Sequence, residues 1–195
     1  MQFTAYTKGP RQTALAFAIG VALLCPIGRA QSQRVQWGGN GNFYEYVSSP
    51  LTWGAAQAAA LGTGGYLATS TSAAENAFIS SLFPIGSNIW IGGFQDRTSP
   101  SYSEPGGGWS WVTGEPFVFT NWVNIPCCNE PGNTGGNEDN LGLSNSPDRV
   151  GMWFDVNDSA RFPYVVESAA PEPASLLLIG TGLVAVGLCR RRRSR

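Results

Sequence analysis

Four acidic side chains lie within a stretch of the chain that is rich in glycine, asparagine and tryptophan: Glu130, Glu138, Asp139 and Asp155. Carboxylates in a loop of this composition are typical ligands of a hard cation, and calcium is the usual one. The Glu130–Pro131 step restricts the backbone and favours a rigid loop over a solvated run of charges. We therefore predict a Ca²⁺ site formed by these four residues, against the alternative that they only keep a surface loop soluble.

Two further residues complete the predicted ligand-binding set. Trp122 borders the loop, and Asn133 lies inside it and offers an amide oxygen. The whole set is Trp122, Glu130, Asn133, Glu138 and Asp155. The other tryptophans of this region, Trp90, Trp111 and Trp153, lie in strand-like patterns, so we expect them to be buried, whereas Trp122 should be partly exposed.

Composition excludes several classes of function. The chain has no histidine, which removes Ser-His-Asp triads, Cys-His pairs and histidine-ligated zinc. A pair of carboxylates such as Glu130 and Asp155 remains formally able to hydrolyse a sugar, but nothing in the sequence indicates a substrate cleft, and we do not expect an enzyme. Residues 31–170 contain four basic and twelve acidic groups, a net charge of −8. This charge disfavours nucleic acid as a partner and favours cations.

Both ends of the chain read as targeting segments. Lys8 and Arg11 precede an apolar run, and Ala30 follows it, as expected for a signal peptide over residues 1–30. At the other end, Pro171, Glu172 and Pro173 precede an apolar segment and a cluster of arginines within residues 176–195. Such a segment is barely long enough to cross a membrane, which favours transient insertion into the inner membrane over a permanent span.

This tail resembles the bacterial PEP-CTERM sorting signal. The resemblance implies recognition of Pro171, Glu172 and Pro173 by an exosortase-type processing enzyme and release to the cell surface or the extracellular matrix. An ordinary tail anchor is the alternative, and it too would place the domain outside the cytoplasm. With residues 31–41 read as a flexible lead-in and 168–175 as a linker, one domain remains at 42–167, long enough to bury a core.

Between the targeting segments the chain has only two cysteines, the adjacent Cys127 and Cys128. Adjacent Cα atoms lie closer together than ordinary disulfide geometry prefers. A strained clamp, a link between chains and two free thiols therefore all remain open. The domain must hold together without a framework of disulfides.

The pattern of elements is α+β. A strand is predicted at 42–47, a helix that begins at Ser49–Pro50 and contains Trp53 to Leu61, a short strand at 66–68, and a second helix opened by Ser72 with Glu75 as a capping box. Further strands are predicted at 88–92, 109–112, 117–120, 140–144, 150–156 and 162–167, with a long loop over 126–140. Two early helices followed by antiparallel strands indicate an α+β domain.

In order and spacing these features resemble the C-type lectin-like domain over residues 42–167. The motifs that carry the resemblance are Trp90-Ile91-Gly92-Gly93, Trp109-Ser110-Trp111, Asn121-Trp122, Glu130-Pro131, Glu138-Asp139 and Trp153-Phe154-Asp155. The resemblance implies that Glu130, Glu138 and Asp155 hold calcium and that a sugar shares these ligands. Two expected asparagine ligands are replaced, by Gly132 and Phe154. The family's two pairs of cysteines are replaced by Ala60 with Val166 and by Asn140 with about Asp158.

Two hypotheses of function follow. In the first, the protein is an exported recognition module that binds saccharide with calcium involved. In the second, it is a structural or adhesive protein of an exopolysaccharide biofilm matrix that makes protein contacts without sugar or calcium, and Gly132 and Phe154 favour this alternative because neither carries a side-chain oxygen.

Overall fold

Residues 33–170 of the computed structural model form a sheet of eight strands, two helices and a separate two-stranded hairpin. The strands of the large sheet are β1 (Val35–Gln36), β2 (Phe43–Leu51), β3 (Tyr66–Leu67), β4 (Asn88–Gln95), β5 (Trp109–Trp111), β8 (Asn140–Ser144), β9 (Trp153–Val156) and β10 (Phe162–Ser168). The hairpin consists of β6 (Asn124–Ile125) and β7 (Cys128–Asn129). The helices are α1 (Trp53–Gly62) and α2 (Ala73–Ser81), and a 3-10 turn spans Thr134–Gly136. The predicted α+β class is confirmed.

The main path of the sheet runs β1-β2-β10-β4-β8-β9, with β3 beside β10 and β5 beside β4. All pairings are antiparallel except that of β10 with β4, where Tyr164 lies opposite Trp90. The long strand near the start of the domain and the last strand are therefore neighbours, since β2 pairs with β10 from Phe43↔Ser168 onward. Strand β9, which carries Asp155, lies at the opposite edge.

The predicted start of α1 is wrong. Ser49 and Pro50 belong to β2, and the helix begins at Trp53 after Thr52, which makes no side-chain cap. The ladder between β2 and β10 shifts register between Phe162 and Tyr164, opposite this point. A proline, which has no N–H to donate, is tolerated in a strand at such an irregularity.

The other predicted elements are mostly confirmed. Ser72 caps α2, its Oγ accepting from the N–H of Glu75 at 3.2 Å. Residues 117–120 do not form a strand; Phe117 and Phe119 instead lie beside the ring of Trp153, with centroid distances of 5.9 and 5.5 Å. Aromatic and β-branched content had predicted the strand, but here the same side chains pack onto the core from an irregular segment.

Two further boundaries differ from prediction. β9 starts at Trp153 rather than at 150, because residues 149–151 form a turn in which Gly151 has a φ of +73°. Residues 31–41 were expected to be a flexible lead-in, but β1 within that segment pairs with β2. The ring of Trp37, in the same segment, stacks on Phe78 of α2 at 5.9 Å.

The core is aromatic. Trp90 and Trp153 are fully buried and Trp111 is 2% exposed, which confirms their predicted burial. Trp153 is central: the rings of Trp111 and Trp122 lie edge-on to it at 5.5 and 5.8 Å. Edge-to-face pairs of this kind add to the free energy of burial.

At both positions where the resemblance places cysteine pairs, other contacts join the same segments. Ala60 and Val166 are buried in one apolar cluster with Leu67 and Trp90. The side chain of Asn140 donates from Nδ2 to Oδ1 of Asp158 at 2.5 Å. Packing and a hydrogen bond thus connect pairs of residues that a disulfide would link covalently.

A buried acidic network joins β2, α2 and β10. Tyr44, Glu75 and Glu167 are each no more than 2% exposed, and the Tyr44 hydroxyl lies 2.7 Å from Glu75 Oε1 and 2.9 Å from Glu167 Oε1. Both oxygens face the single hydroxyl proton of Tyr44, and the side-chain amide of Asn40 also donates to each of them. Burial raises the pKa of Glu167, and the charge of Glu75 adds to the shift.

The predicted signal peptide, the Pro-Glu-Pro motif and the hydrophobic sorting segment lie outside the described residues. Within residues 33–170, neither helix has the length and apolar character needed to cross a membrane.

Candidate functional site

Three of the predicted calcium ligands converge on one glycine. A methyl group placed on Gly132 would lie 3.0 Å from Glu130 Oε2, 3.6 Å from Glu138 Oε2 and 3.8 Å from Asp155 Oδ1. These oxygens come from distant points of the chain and meet because three different elements position them. A side chain at position 132 would enter the space between the carboxylates.

A different part of the fold positions each of the three carboxylates. Glu130 follows the β6–β7 hairpin, and its N–H donates to the carbonyl of Val123 at 2.8 Å. The N–H of Val123 in turn donates to the carbonyl of Trp153 at 2.8 Å, which ties this segment to β9. Asp155 lies on β9 opposite Leu141. Glu138 precedes β8, so the site lies where the loop meets the β8–β9 edge of the sheet.

The three acids lie close enough together for their negative charges to repel one another. Burial, together with the contact with Asp155 and the charges of Asp155 and Glu138, raises the pKa of Glu130 to about 7. The nearby N–H of Gly132 opposes this shift in part. Like charges in a half-buried site repel each other, and either a proton or a cation relieves that repulsion.

Backbone amides already satisfy two of the three acids. Gly132 donates its N–H to Asp155 Oδ1 at 2.8 Å. Asn133 donates its N–H to Glu138 Oε2 at 3.0 Å, and Thr134 donates to the same oxygen. Within residues 33–170, no group of three or more acidic, cysteine or histidine side chains stands ready-assembled around a metal position. The amides hold Asp155 and Glu138 toward the backbone.

Asn133 is the least satisfied residue of the loop. Its φ of +117° is in the left-handed region that glycine usually occupies. Its side-chain Oδ1 is buried and has no hydrogen-bond partner. A buried oxygen without a partner is costly, and a cation would supply that partner. The donor set therefore fits calcium in chemistry: three carboxylates, one amide oxygen and the carbonyls of the loop.

Asp139, the fourth predicted ligand, is engaged elsewhere. Its carboxylate forms an ion pair with Arg97, with distances of 3.0 Å from Nε to Oδ2 and 2.9 Å from Nη2 to Oδ2. Arg97 also donates from Nη2 to the carbonyl of Gly136 at 3.0 Å. Arg97 thus ties the 3-10 turn to the start of β8, a role that we did not predict. The scarcity of basic residues in this acidic domain was the one sequence signal that pointed to it.

Trp122 is held mainly by the core. Its ring lies 4.8 Å from that of Trp109 and 5.8 Å from that of Trp153, and the residue is half-buried. The prediction of partial exposure is confirmed.

Phe154 faces away from the acids. It neighbours Asp155 along β9, and adjacent strand residues point to opposite faces. Its ring lies over Gly142, where an added methyl group would lie 2.5 Å from Cζ. The ring also packs edge-on against Phe162 at 6.0 Å. Phe154 is therefore a packing residue, whereas Gly132 lies at the centre of the site.

Comparison with known proteins agrees with this fold and places the chain in a family. The profile of the Lectin C-type domain matches residues 49–167, and that of the PEP-CTERM protein-sorting motif matches residues 169–193. Halomucin of Haloquadratum walsbyi is 31% identical over 143 residues, which are 65% of this chain and 1% of that protein. A type-2 ice-structuring protein of Brachyopsis segaliensis is 31% identical over 102 residues, 52% of this chain and 51% of that protein.

Ladderlectin of Oncorhynchus mykiss is 30% identical over 127 residues, 62% of this chain and 58% of that protein. The chain thus spans about half the length, or much less, of the curated relatives that it matches first.

Solved structures agree on the fold. The C-type carbohydrate-recognition domain of cow CD23, determined with an oligosaccharide, has a TM-score of 0.57 at 19% identity, covering 76% of this chain and 100% of that one. A calcium-independent type II antifreeze protein has a TM-score of 0.55 at 21% identity, covering 74% of this chain and 96% of that one. Identities this low establish the fold alone. Through its match over residues 49–167, the chain belongs to the C-type lectin domain family, and a PEP-CTERM protein-sorting motif follows that domain.

Proposed function

We propose that this protein is an exported recognition module that binds a saccharide at the loop around Gly132, with calcium held by Glu130, Glu138 and Asp155. The convergence of three carboxylate oxygens on one glycine is the observation that carries the proposal. Vicinal hydroxyls of a sugar ring are neutral oxygen ligands, so they can complete the coordination of a calcium ion that a protein binds with too few donors. The side chain of Asn133 supplies a further oxygen.

The site binds calcium at a cost. Asp155 and Glu138 must exchange the amides of Gly132, Asn133 and Thr134 for the ion, so the loop rearranges on binding. Burial, and after it repulsion by Asp155 and Glu138, raises the pKa of Glu130, and relief of that repulsion offsets part of this cost. Since binding to the folded state alone raises stability, calcium at 100 times its Kd adds about 2.7 kcal/mol to the free energy of unfolding.

Titration calorimetry and a glycan array, each with calcium and with a chelator, test the proposal on the full-length protein. Glu138→Gln and Asp155→Asn keep the shape of each side chain and remove one charge, and both variants are expected to lose calcium binding and calcium-dependent glycan binding. Asp148→Asn is the matched control, because Asp148 is exposed in a turn and pairs with Arg149. Absence of heat and of glycan binding in the wild-type protein at millimolar calcium contradicts the proposal.

The second candidate is a structural or adhesive protein of the extracellular matrix that binds a neighbouring matrix protein without sugar or calcium. The observation that favours it is the set of amide hydrogen bonds to Asp155 and Glu138, which leaves those oxygens satisfied without a metal. Under this function Asp155→Asn leaves binding to matrix material intact, since Asn retains an oxygen for the N–H of Gly132. The two candidates therefore differ in the response of the same variant.

The same route of export applies to both candidate functions. We propose that an exosortase-type enzyme processes the chain at Pro171, Glu172 and Pro173 after transient insertion in the inner membrane, and releases the domain to the surface or the matrix. Replacement of these three residues by alanine is expected to leave the protein in the membrane fraction. Equal release of the wild-type and substituted proteins contradicts processing at this motif.

A further inference from the structure

Two thiols lie side by side at the tip of the β6–β7 hairpin. Ile125 pairs with Cys128 across the hairpin, so Pro126 and Cys127 form its two-residue turn. The Sγ atoms of Cys127 and Cys128 are 2.8 Å apart, Cys127 is exposed and Cys128 is half-buried. Neither thiol contributes to the acidic site, and neither takes part in a disulfide.

The surroundings limit what the pair can bind. Zinc and similar divalent ions take four ligands in a tetrahedron, but within the part of the chain that the structure describes no group of three acidic, cysteine or histidine side chains surrounds a metal position. A direct bond between the two sulfurs is also disfavoured, because adjacent Cα atoms lie about 3.8 Å apart and disulfides prefer at least about 4.4 Å. A ligand whose single central atom binds two sulfurs is free of both limits. It needs no further protein ligands, and it needs no direct bond between the sulfurs.

We propose that Cys127 and Cys128 form a chelating site for a neutral, thiophilic centre of valence three, of which a monosubstituted trivalent arsenical is the type. In the reaction the two S–H bonds and two As–OH bonds break, two As–S bonds form and two molecules of water leave. Arsenic stays trivalent, so the step requires no oxidant or reductant. The net charge of −8 over residues 31–170 does not repel such a ligand, because it is uncharged.

Chelation supplies the affinity. Once one sulfur has bound, the second is held in place by the turn, so the second bond forms within one molecule at a high effective concentration. The hairpin is short and exposed, so the ligand reaches both sulfurs from solvent. Soft thiolate ligands prefer soft centres over the hard cations that the carboxylate loop attracts, and the two sites therefore differ in ligand class.

Binding of phenylarsine oxide, which is a dihydroxy arsenical in water, tests the proposal. The full-length protein carries Cys25→Ser and Cys189→Ser so that only the hairpin thiols remain, and thiol titration first establishes two reduced thiols per chain. Intact-mass measurement is expected to show one phenylarsenic group per chain, released by 2,3-dimercaptopropanol. Cys127→Ser and Cys128→Ser should each weaken binding by about 100-fold or more, since each removes the chelate.

A second variant separates geometry from mere adjacency in sequence. Cys127→Ser with Asn129→Cys also has two neighbouring thiols, but both lie in β7, where adjacent side chains point to opposite faces. It is expected to bind as weakly as the single-thiol variants. Binding by either single-thiol variant or by this control as tightly as by the parent overturns the proposal, and so does the absence of binding by the parent with both thiols reduced. Circular dichroism establishes that each variant is folded.

Discussion

The backbone N–H of Gly132 donates a 2.8 Å hydrogen bond to Oδ1 of Asp155, 23 residues further along the chain. This bond closes the loop onto β9 and brings a position without a side chain into the middle of three carboxylates. The same glycine therefore has two roles. It satisfies Asp155 without a metal, and its lack of a Cβ leaves space that an added side chain would fill.

Gly132→Asn is expected to raise the calcium affinity about tenfold, equivalent to about 1.4 kcal/mol. The reason is that the new amide oxygen enters the space between Glu130, Glu138 and Asp155, where a Cβ would lie 3.0 Å from the nearest carboxylate oxygen. Titration calorimetry measures the change. Gly132→Ala is the control, because it adds the same Cβ without an oxygen, and an equal gain with alanine refutes the explanation.

Stability in the presence of a chelator is expected to fall as pH rises from about 5 to 8. Burial raises the pKa values of Glu130, to about 7, and of Glu167. An acid whose pKa is raised on folding stabilises the fold below its unfolded pKa, and this contribution is lost as pH rises through the folded value. Thermal unfolding across this range measures the slope.

Glu130→Gln is the matched variant for this slope. It removes the carboxylate that titrates near neutral pH, so melting temperature should depend less on pH around 7 while the contribution of Glu167 persists. A melting temperature of the wild-type protein that rises over the same range would contradict the assignment.

Asn140→Cys with Asp158→Cys is expected to form a disulfide and to stabilise the domain by up to about 3 kcal/mol, the size expected for a closed loop of this length. The side chains of Asn140 and Asp158 already meet at 2.5 Å. Cys127→Ser and Cys128→Ser are included so that no other pairing competes. Melting with and without reductant gives the gain, and a protein that is equally stable in both conditions rules out the bond.

Gly92→Ala and Gly54→Ala are expected to have opposite effects. A Cβ on Gly92 in β4 would lie 2.4 Å from the carbonyl oxygen of Leu67, and backbone atoms cannot yield, so a loss of about 2 kcal/mol or more is expected. A Cβ on Gly54 in α1 has no neighbour within 4 Å, and alanine should add up to about 1 kcal/mol through helix propensity. Denaturant unfolding measures both, and destabilisation by Gly54→Ala would contradict the structure of α1.

Sequence patterns predicted the structure best where contacts between residues close in sequence determine it. Ser72 caps α2 because its hydroxyl meets the N–H of Glu75 three residues on, an arrangement that local spacing alone specifies. Ser49–Pro50 gives an equally good local helix start, yet it lies in β2, because pairing with β10 is a tertiary effect that outweighs the local preference.

The candidate site likewise has residues that the sequence predicted and contacts that it did not. The acids of the loop were recognisable by type and spacing. The ion pair of Asp139 with Arg97 joins residues 42 positions apart, and no periodicity in the sequence encodes it. The acidic network around Tyr44 was missed for a related reason: the capping pattern already explained Glu75, and only the folded chain brings Glu167 beside it.

The pairing of Phe43 with Ser168 brings the two borders of the domain to one side of the sheet, while Asp155 lies on the opposite edge strand. A polymer or support joined at either border therefore lies away from the edge of the sheet that carries Asp155. Many copies grafted side by side in this way would present a dense, uniformly oriented layer of negative charge. The spacing of the grafting points would then set how many contacts such a layer makes with a multivalent target.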